Sequence, residues 1–283
     1  MTFHDLLSIS EKKLQAELNL SPSEAKQDVE DIAIYATKWS LAELLTRRNE
    51  EIGITHKAIF DKALADRIGG KPVQYITNSA CFFGYDFFVN EGCLIPRVDS
   101  EVLVELALSN CKQDSVKALD LCCGSGCLGL SFAKQIAEKN KKYELTMLDI
   151  STNAIQIARL NAQKLGLKAK FMVADILQGL TTDEQFDVIF CNPPYIETDE
   201  IANLDKQVKD FEPHLALDGG ADGLKFYRAV AGNLKSIIAK SGKAYFEIGY
   251  NQGKIASQIF TTAGFQVELK KDYGKKDRCL IVY

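Results

Sequence analysis

Three kinds of hydrophobic pattern follow one another along the 283-residue chain. From Leu6 to Ile68, apolar residues recur at helical spacing, which predicts a small helical bundle. Residues 73–96 are rich in aromatic side chains and contain turn signals at Gly84 and Asn90–Gly92, which predicts a β-hairpin. Beyond these residues, short apolar runs alternate with helical stretches, which is typical of an α/β domain. The predicted domains are therefore a helical bundle at 1–72, a linking hairpin at 73–96 and an α/β domain at 97–283.

The helical region contains a recognisable helix start. Ser21–Glu24 has the spacing of a capping box, with proline at the first helical position. We expect this helix to continue as far as Leu45. A further helix is expected to start near Thr55, to bury Ile59, and to stop at Gly69–Gly70. Since no polar groups converge here, packing or contact with a partner is the expected role of the bundle.

The α/β region begins with a strand, a glycine turn and a helix. A strand is predicted at Ala118–Leu121, and Gly124, Gly126 and Gly129 then follow the pattern G-x-G-x-x-G before a helical stretch. Glycines at these places let the backbone turn sharply and approach a ligand closely. The pattern is a weak signal by itself, but its position between a strand and a helix predicts a nucleotide site.

Acidic residues lie on the strands around this turn. Strands predicted at Tyr143–Ile150 and Phe171–Asp175 carry Asp149 and Asp175 near their ends, and Asp120 lies inside the first strand. An acid in the position of Asp149 commonly accepts hydrogen bonds from both hydroxyls of a ribose. Carboxylates favour a cationic, sulfonium-bearing nucleoside over a pyrophosphate, although a dinucleotide site also stays open. Asp120 could hold the turn by local hydrogen bonds or touch the ligand.

The stretch N-P-P-Y, Asn192 to Tyr195, directly follows a predicted buried strand at Phe186–Cys191. It therefore lies at the carboxyl end of a strand, where open α/β sheets bind ligands. Pro193 and Pro194 have no backbone N–H, so this corner offers carbonyl oxygens beside the amide oxygen of the asparagine and the ring of the tyrosine. Such a corner suits a planar –NH2 group, and a simple Asn-Pro turn is the alternative.

Composition limits the possible functions. With 46% hydrophobic and 25% charged residues, the chain is typical of a soluble globular protein, and no apolar stretch approaches the roughly 20 residues that span a bilayer. The net charge of −4 does not predict binding along a nucleic acid. Eight cysteines without a C-x-x-C pair predict reduced, packed thiols, no metal site and a cytoplasmic location, and the N-terminus has no secretion signal.

Several motifs together resemble the bacterial release factor glutamine methyltransferases, the HemK/PrmC family. They are NPPY, LIPRVDSE from Leu94 to Glu101, FEPHLALDGGADGL from Phe211 to Leu224, and EIGYNQG from Glu247 to Gly253. The match extends from about Lys71 to the C-terminus, and the helical leader is similar in kind to the family's N-terminal domain. NPPY alone is shared with enzymes that methylate amino groups of nucleic-acid bases, whereas the LIPR and EPHLALDGG segments are far more specific.

The resemblance implies a Rossmann-like α/β methyltransferase domain that uses S-adenosylmethionine. The acceptor it implies is the side-chain amide nitrogen of the glutamine in the Gly-Gly-Gln motif of peptide chain release factors. Asn192, Pro193 and Tyr195 are expected to be catalytic and, with Pro194, to bind the substrate. The residues expected to bind the cofactor are Asp120, Cys122, Cys123, Gly124, Ser125, Gly126, Asp149, Asp175, Ile176 and Asn192.

The chain departs from the family at two positions. Cys122 stands where the family usually has glycine, and Val98 stands where it usually has proline. Cofactor binding is expected to persist because Gly124 and Gly126 remain. Arg97, just before a helix, could be a surface residue, or it could face an anionic group or an acidic side chain in the cleft.

Glu212 and His214 could line the cleft or anchor a loop. The expected partner is a release factor acting as protein substrate, with no direct nucleic-acid substrate, no membrane, and a monomeric enzyme. Two other functions stay open: methylation of an exocyclic amino group of a nucleic-acid base, and a non-catalytic nucleotide-binding module.

Overall fold

The computed structural model describes residues 1–179, 182 and 184–283. The chain divides into two compact units, Met1–Ser79 with Lys206–Phe211, and Ala80–Asp205 with Glu212–Tyr283. The helices are α1 (Phe3–Leu18), α2 (Pro22–Thr37), α3 (Leu41–Thr46), α4 (Ile54–Ile68), α5 (Val73–Thr77), α6 (Glu101–Asn110), α7 (Cys127–Glu138), α8 (Thr152–Lys164), α9 (Lys206–Lys209), α10 (Lys225–Ile237) and α11 (Gly253–Thr262). The strands are β1 (Ala80–Phe82), β2 (Tyr85–Phe87), β3 (Ser115–Leu121), β4 (Lys142–Asp149), β5 (Lys170–Val173), β6 (Phe186–Cys191), β7 (Ile238–Glu247), β8 (Val267–Lys271) and β9 (Asp277–Val282).

Capping boxes start the first three helices of the helical unit. At α2 the Ser21 side chain accepts the N–H of Glu24, whose carboxylate accepts the N–H of Ser21, as the sequence predicts. The prediction that this helix reaches Leu45 is wrong. Lys38 adopts a left-handed conformation with φ of 61°, which ends α2, and Ser40 caps a new helix.

One residue predicted to lie in the core of the helical unit is exposed instead. In α4, Phe60 is fully buried, whereas Ile59 is 39% exposed, so the predicted buried face of this helix is out of phase at that point. Beneath it, Arg67 Nε donates to Asp28 Oδ2 at 2.6 Å between two buried side chains. A paired buried charge of this kind costs several kcal/mol when one partner is removed, so it ties α4 to α2.

The hairpin is shorter than the predicted 73–96. Val73–Thr77 form α5, whose Val73 and Ile76 pack in the core of the helical unit. The hairpin itself pairs β1 with β2, from Ala80 opposite Phe87 to the turn. Its two-residue turn uses left-handed Phe83 and Gly84, with φ of 53° and 76°, the geometry that matches strand twist. The aromatic composition of residues 73–96 concealed the separate helix.

The second unit is built on a seven-stranded sheet in the order β5-β4-β3-β6-β7-β9-β8, in which β9 runs antiparallel to both neighbours and the other neighbouring pairs are parallel. One core packs α6, α7 and α8 on one face, and a second core packs α10 and α11 on the other. This arrangement confirms the predicted α/β, Rossmann-like class. The strand order reverses between β3 and β6, and such switch points are where these sheets bind ligands.

Across the residues that the structure describes, no helix combines the length and apolar character needed to cross a membrane.

Candidate active site

A cavity of about 410 Å³ lies at the carboxyl ends of β3, β4 and β6. This volume falls in the range of about 300–1,000 Å³ that is usual for small-molecule sites. Its walls come from the glycine turn after β3, the ends of β4 and β6, the segment before α6 and the segment before α10. Predicted residues in its lining are Arg97, Cys122, Cys123, Gly124, Ser125, Asp149, Asp175, Ile176, Asn192, Pro194 and His214.

The glycine turn makes two close contacts and one open surface. A Cβ at Gly126 would lie 2.6 Å from Met147 Cε, and one at Gly129 would lie 2.9 Å from Asp120 Oδ2. At Gly124, with φ of 54°, a Cβ would meet nothing within 4 Å. Since Gly124 lines the cavity, its bare backbone leaves room for a ligand on that side.

Asp149 ends β4 and faces the cavity. Its Oδ2 accepts the N–H of Gly124 and its Oδ1 accepts the N–H of Ser151, both at 2.9 Å. Burial raises the pKa of this carboxyl group, and the two backbone donors oppose that shift. Each carboxylate oxygen can accept further hydrogen bonds, so the geometry leaves acceptors for a ligand hydroxyl.

Asp120 stabilises the glycine turn by a hydrogen bond to its backbone. Its Oδ2 accepts the N–H of Gly129 at 2.9 Å, which corresponds to the first of the two roles considered for it. It does not belong to the cavity lining. Its Oδ1 is buried and has no hydrogen-bond partner in the described part of the chain. Burial raises the pKa of this carboxyl group to about 7.

The third acidic residue lies beyond its strand. Strand β5 ends at Val173, two residues before Asp175. Asp175 Oδ1 accepts the N–H of Leu177 at 2.9 Å and caps a short 3₁₀ turn at Ile176–Gln178. Asp175 and Ile176 both line the cavity, so this turn supplies a carboxylate beside an apolar side chain.

The NPPY corner directly follows β6, whose bounds agree with the predicted strand. Asn192 and Pro194 line the cavity, whereas Pro193 is buried and lies outside the lining. No donor in the described residues hydrogen-bonds to the side chain of Asn192 or to the carbonyl of Pro193. Neither oxygen is therefore committed to a protein donor, and the Asn192 side chain lies at the cavity wall.

Tyr195 is held from outside the cavity. It is half-buried and does not line the cavity, and its hydroxyl donates to Glu247 Oε1 at 3.2 Å. Its carbonyl accepts the Gln252 side-chain N–H at 2.9 Å. Burial and the nearby Glu247 raise the pKa of the Tyr195 phenol, so it stays protonated and able to donate. The structure thus gives this tyrosine an anchoring contact that the sequence did not indicate.

Arg97 faces an acidic side chain, which is one of the alternatives considered for it. Its guanidinium donates to the buried carboxylate of Glu212, which also accepts the N–H of Ile95 at 3.4 Å. Burial raises the pKa of Glu212, and the Arg97 guanidinium opposes that shift. Glu212 therefore anchors the segment before α6, while Arg97 and His214 reach the cavity.

The sequence alone indicated no role for three polar residues that lie near the NPPY corner. Glu247 and Gln252 bind Tyr195, and Ser100 binds Glu247. Glu247 and Gln252 lie in the EIGYNQG motif and Ser100 in LIPRVDSE, so the motifs were the available signal, but no local pattern gave these side chains a role.

Cysteines contribute strongly to the cavity wall. Cys93, Cys122, Cys123 and Cys127 line it, and none is in a disulfide. Burial raises the pKa of these thiols, so they are uncharged near neutral pH. The pKa of the Cys122 thiol is also raised, first by its hydrogen bond with Cys191 and then by burial. Within the described ranges, no group of three or more His, Cys, Asp or Glu residues could hold a metal ion.

Two family models match the chain. A methyltransferase small domain matches residues 97–219, and the PrmC N-terminal domain matches residues 11–77. The chain is 36% identical over 260 residues to a release factor glutamine methyltransferase of Clostridium acetobutylicum, covering 90% of each protein. It belongs to the release factor glutamine methyltransferase family. A relative of the same name from Bacillus subtilis is 32% identical and covers 89% of this chain and 90% of that protein.

Membership of the family confirms the predicted family and enzyme class, an S-adenosylmethionine-dependent methyltransferase. A solved methyltransferase from Pyrococcus furiosus supports the fold, with a TM-score of 0.51 and 18% identity over 71% of this chain and 89% of that one.

Proposed function

We propose that the chain transfers a methyl group from S-adenosylmethionine to the side-chain amide nitrogen of a release factor glutamine. Two relatives of similar length carry the release factor glutamine methyltransferase name. The observation that carries the proposal is the NPPY corner, where the oxygens of Asn192 and Pro193 have no partner in the described structure. A carboxamide –NH2 has two N–H donors, which matches two free acceptors.

The cavity fits the cofactor. Its open surface at Gly124 leaves space for a ligand, and Asp149 offers acceptors that match ribose hydroxyls. Ile176 supplies an apolar wall beside Asp175, as a purine ring requires. The carboxyl groups of Asp149 and Asp175 in the cavity wall favour a cation. When bound, the cofactor supplies an electrophilic methyl on a sulfonium.

The acceptor nitrogen is the difficult reactant, because its lone pair is delocalised into the amide carbonyl. Asn192 Oδ1 and the Pro193 carbonyl each accept one amide N–H and so orient the nitrogen lone pair toward the cofactor side of the cavity. As positive charge develops on that nitrogen, both hydrogen bonds strengthen. They therefore stabilise the transition state more than the bound substrate. The N-methylated amide then loses its extra proton readily, so no side chain needs to act as a base first.

The other expectations from the sequence belong to this proposal. Tyr195 and Pro194 complete the acceptor corner, and the partner is a release factor that presents Gly-Gly-Gln. The enzyme acts as a cytoplasmic monomer without a nucleic-acid substrate.

The test is methyl transfer to defined acceptors. The enzyme is incubated with S-adenosylmethionine and a purified release factor, and the Gly-Gly-Gln peptide is analysed by mass spectrometry. We expect a gain of one methyl group on that glutamine, and none on a release factor in which it is replaced. Parallel reactions with labelled cofactor contain DNA or RNA. Label in nucleic acid without label in release factor would overturn the proposal in favour of a base methyltransferase.

A further inference from the structure

Glu247 joins the NPPY corner to two distant parts of the α/β unit. It ends β7 and is only 1% exposed. Its Oε1 accepts the Tyr195 hydroxyl at 3.2 Å, and its Oε2 accepts the hydroxyl of Ser100, which lies just before α6. Its main-chain carbonyl accepts the hydroxyl of Tyr227 from α10 at 2.8 Å. The carboxylate is therefore satisfied by two hydroxyl donors although it is buried.

Burial alone would favour the neutral form of this group. Desolvation raises the pKa of Glu247, and the hydroxyls of Ser100 and Tyr195 and the nearby Arg278 oppose that shift. Hydrogen bonds to a charged acceptor are stronger than those between neutral groups. The Tyr195 hydroxyl is held by a directional hydrogen bond to this buried carboxyl group.

The main chain of Tyr195 is held independently. Gln252 Nε2 donates to the Tyr195 carbonyl at 2.9 Å and to the Gly223 carbonyl at 3.4 Å, while Gln252 Oε1 accepts the Gly249 N–H at 2.9 Å. A Cβ at Gly223 would lie 2.3 Å from the Tyr195 carbonyl oxygen. Tyr195 is therefore held at two points, its carbonyl by Gln252 and its hydroxyl by Glu247.

We infer that Glu247 is a positioning residue for methyl transfer: it fixes the Tyr195 hydroxyl and so sets the direction of the Asn192 and Pro193 oxygens. The inference rests on the proposed function and deepens it. Asn192 and Pro193 have no hydrogen bond of their own from the described residues, so their orientation depends on the chain on either side. On one side lies β6, and on the other lies Tyr195. Loss of the hydroxyl bond would leave the acceptors present but less well aimed, which reduces transition-state stabilisation.

The test uses two matched tyrosine variants. Tyr195→Phe removes the hydroxyl that binds the Glu247 side chain, and Tyr227→Phe removes a buried hydroxyl that binds the main chain of the same residue. We expect Tyr195→Phe to lower kcat on a release factor by about 10-fold, the effect of one buried hydrogen bond. Its Kd for S-adenosylmethionine, measured by calorimetry, should stay within about twofold of wild type. Tyr227→Phe should keep the wild-type kcat.

A second pair of variants tests whether Glu247 acts through the tyrosine. Glu247→Gln keeps an acceptor oxygen and the size of the side chain, and should lose less kcat than Tyr195→Phe. In the double variant the two losses should not multiply, because both remove the same contact. An unchanged kcat in Tyr195→Phe, equal losses in the two tyrosine variants, or multiplied losses in the double variant would each overturn the inference. A wild-type enzyme that methylates no release factor overturns the proposed function itself, and the wild-type control distinguishes that result.

Discussion

On the cofactor side of the cavity, the groups that shape the wall come from neighbouring stretches of chain, whereas on the acceptor side they come from distant ones. Asp120 binds the N–H of Gly129, nine residues away, and Asp149 binds Gly124, 25 residues away. Tyr195 is held by Glu247 and Gln252, 52 and 57 residues away. The cofactor side presents carboxylates and a bare backbone, and the acceptor corner presents oxygens without donors.

This difference implies different sensitivities. A turn held by nearby residues can keep its shape when a distant element changes, so substitutions on the cofactor side should mainly affect cofactor affinity and local electrostatics. The acceptor corner has the conformation that its surroundings impose, so substitutions around it should change kcat.

The largest effect is expected at Asp120 on the cofactor side. Its pKa is raised by burial from near 3.8 to about 7. A carboxyl group with a higher pKa in the folded than in the unfolded state contributes most stability when protonated, and that contribution is lost as the pH rises from about 4 through about 7. At roughly 1.4 kcal/mol for each unit, the change is on the order of 4 kcal/mol. Asp120→Asn cannot ionise, so its free energy of unfolding should rise relative to wild type by that order over this range.

Urea unfolding at several pH values measures this difference. Asp114→Asn is the matched control, because it makes the same chemical change at a side chain that is 100% exposed. If the Asp120→Asn and wild-type stabilities changed in parallel with pH, the carboxyl group would not be held neutral by burial.

Substitution of Asn192, on the acceptor side, is expected to have the second largest effect, a loss of kcat. Asn192→Ala removes one of the two free acceptors and should reduce kcat by about 10²–10³, as for the loss of one preorganised polar contact. The Kd for S-adenosylmethionine should change much less than kcat, because the hydrogen bond that strengthens in the transition state is the one to the methyl acceptor. Single-turnover methylation and calorimetry measure the two quantities.

Asn203→Ala, at an exposed position, serves as the control and should retain the wild-type kcat. A near-normal kcat in Asn192→Ala on a release factor would show that the asparagine oxygen does not orient the acceptor.

Two glycines, one on each side, separate steric from conformational effects. Gly124 and Gly223 both have left-handed φ, 54° and 67°, so alanine carries a similar backbone penalty at each. A Cβ at Gly223 would also lie 2.5 Å from Gln252 Nε2, besides its clash with the Tyr195 carbonyl, whereas at Gly124 it would enter open space. We expect Gly223→Ala to lose about 1–3 kcal/mol more stability than Gly124→Ala.

The two variants should lose different functions, one cofactor affinity and the other kcat. Gly124→Ala should weaken binding of S-adenosylmethionine, because its methyl occupies the cavity, and Gly223→Ala should lower kcat through the displaced Tyr195. Calorimetry and steady-state kinetics on the pair measure both. Equal stabilities with equal kinetic defects would contradict the contrast between the two sides.

The same contrast explains how much the sequence could predict. Local signals were sufficient for the capping box at Ser21–Glu24, for β6, and for the glycine turn. The end of α2 at Lys38 was missed because a left-handed lysine carries no glycine or asparagine signature. Neither the Glu247 contact with Tyr195 nor its contact with Ser100 could be predicted, because each joins residues far apart in the chain.

The smallest effect concerns Val98, at a position where the family resemblance implies proline. Arg97 has φ of −107° and ψ of 137°, the extended conformation that precedes proline, and Val98 starts a 3₁₀ turn at Val98–Ser100, where φ is near that of proline. Its side chain is 63% exposed and its N–H donates no hydrogen bond to the described backbone. Val98→Pro should therefore raise the free energy of unfolding by about 0.4–1 kcal/mol by restricting the unfolded chain. Urea unfolding measures this gain, which Val98→Ala should lack. A destabilised proline variant with lower kcat would instead mean that this segment moves during acceptor binding.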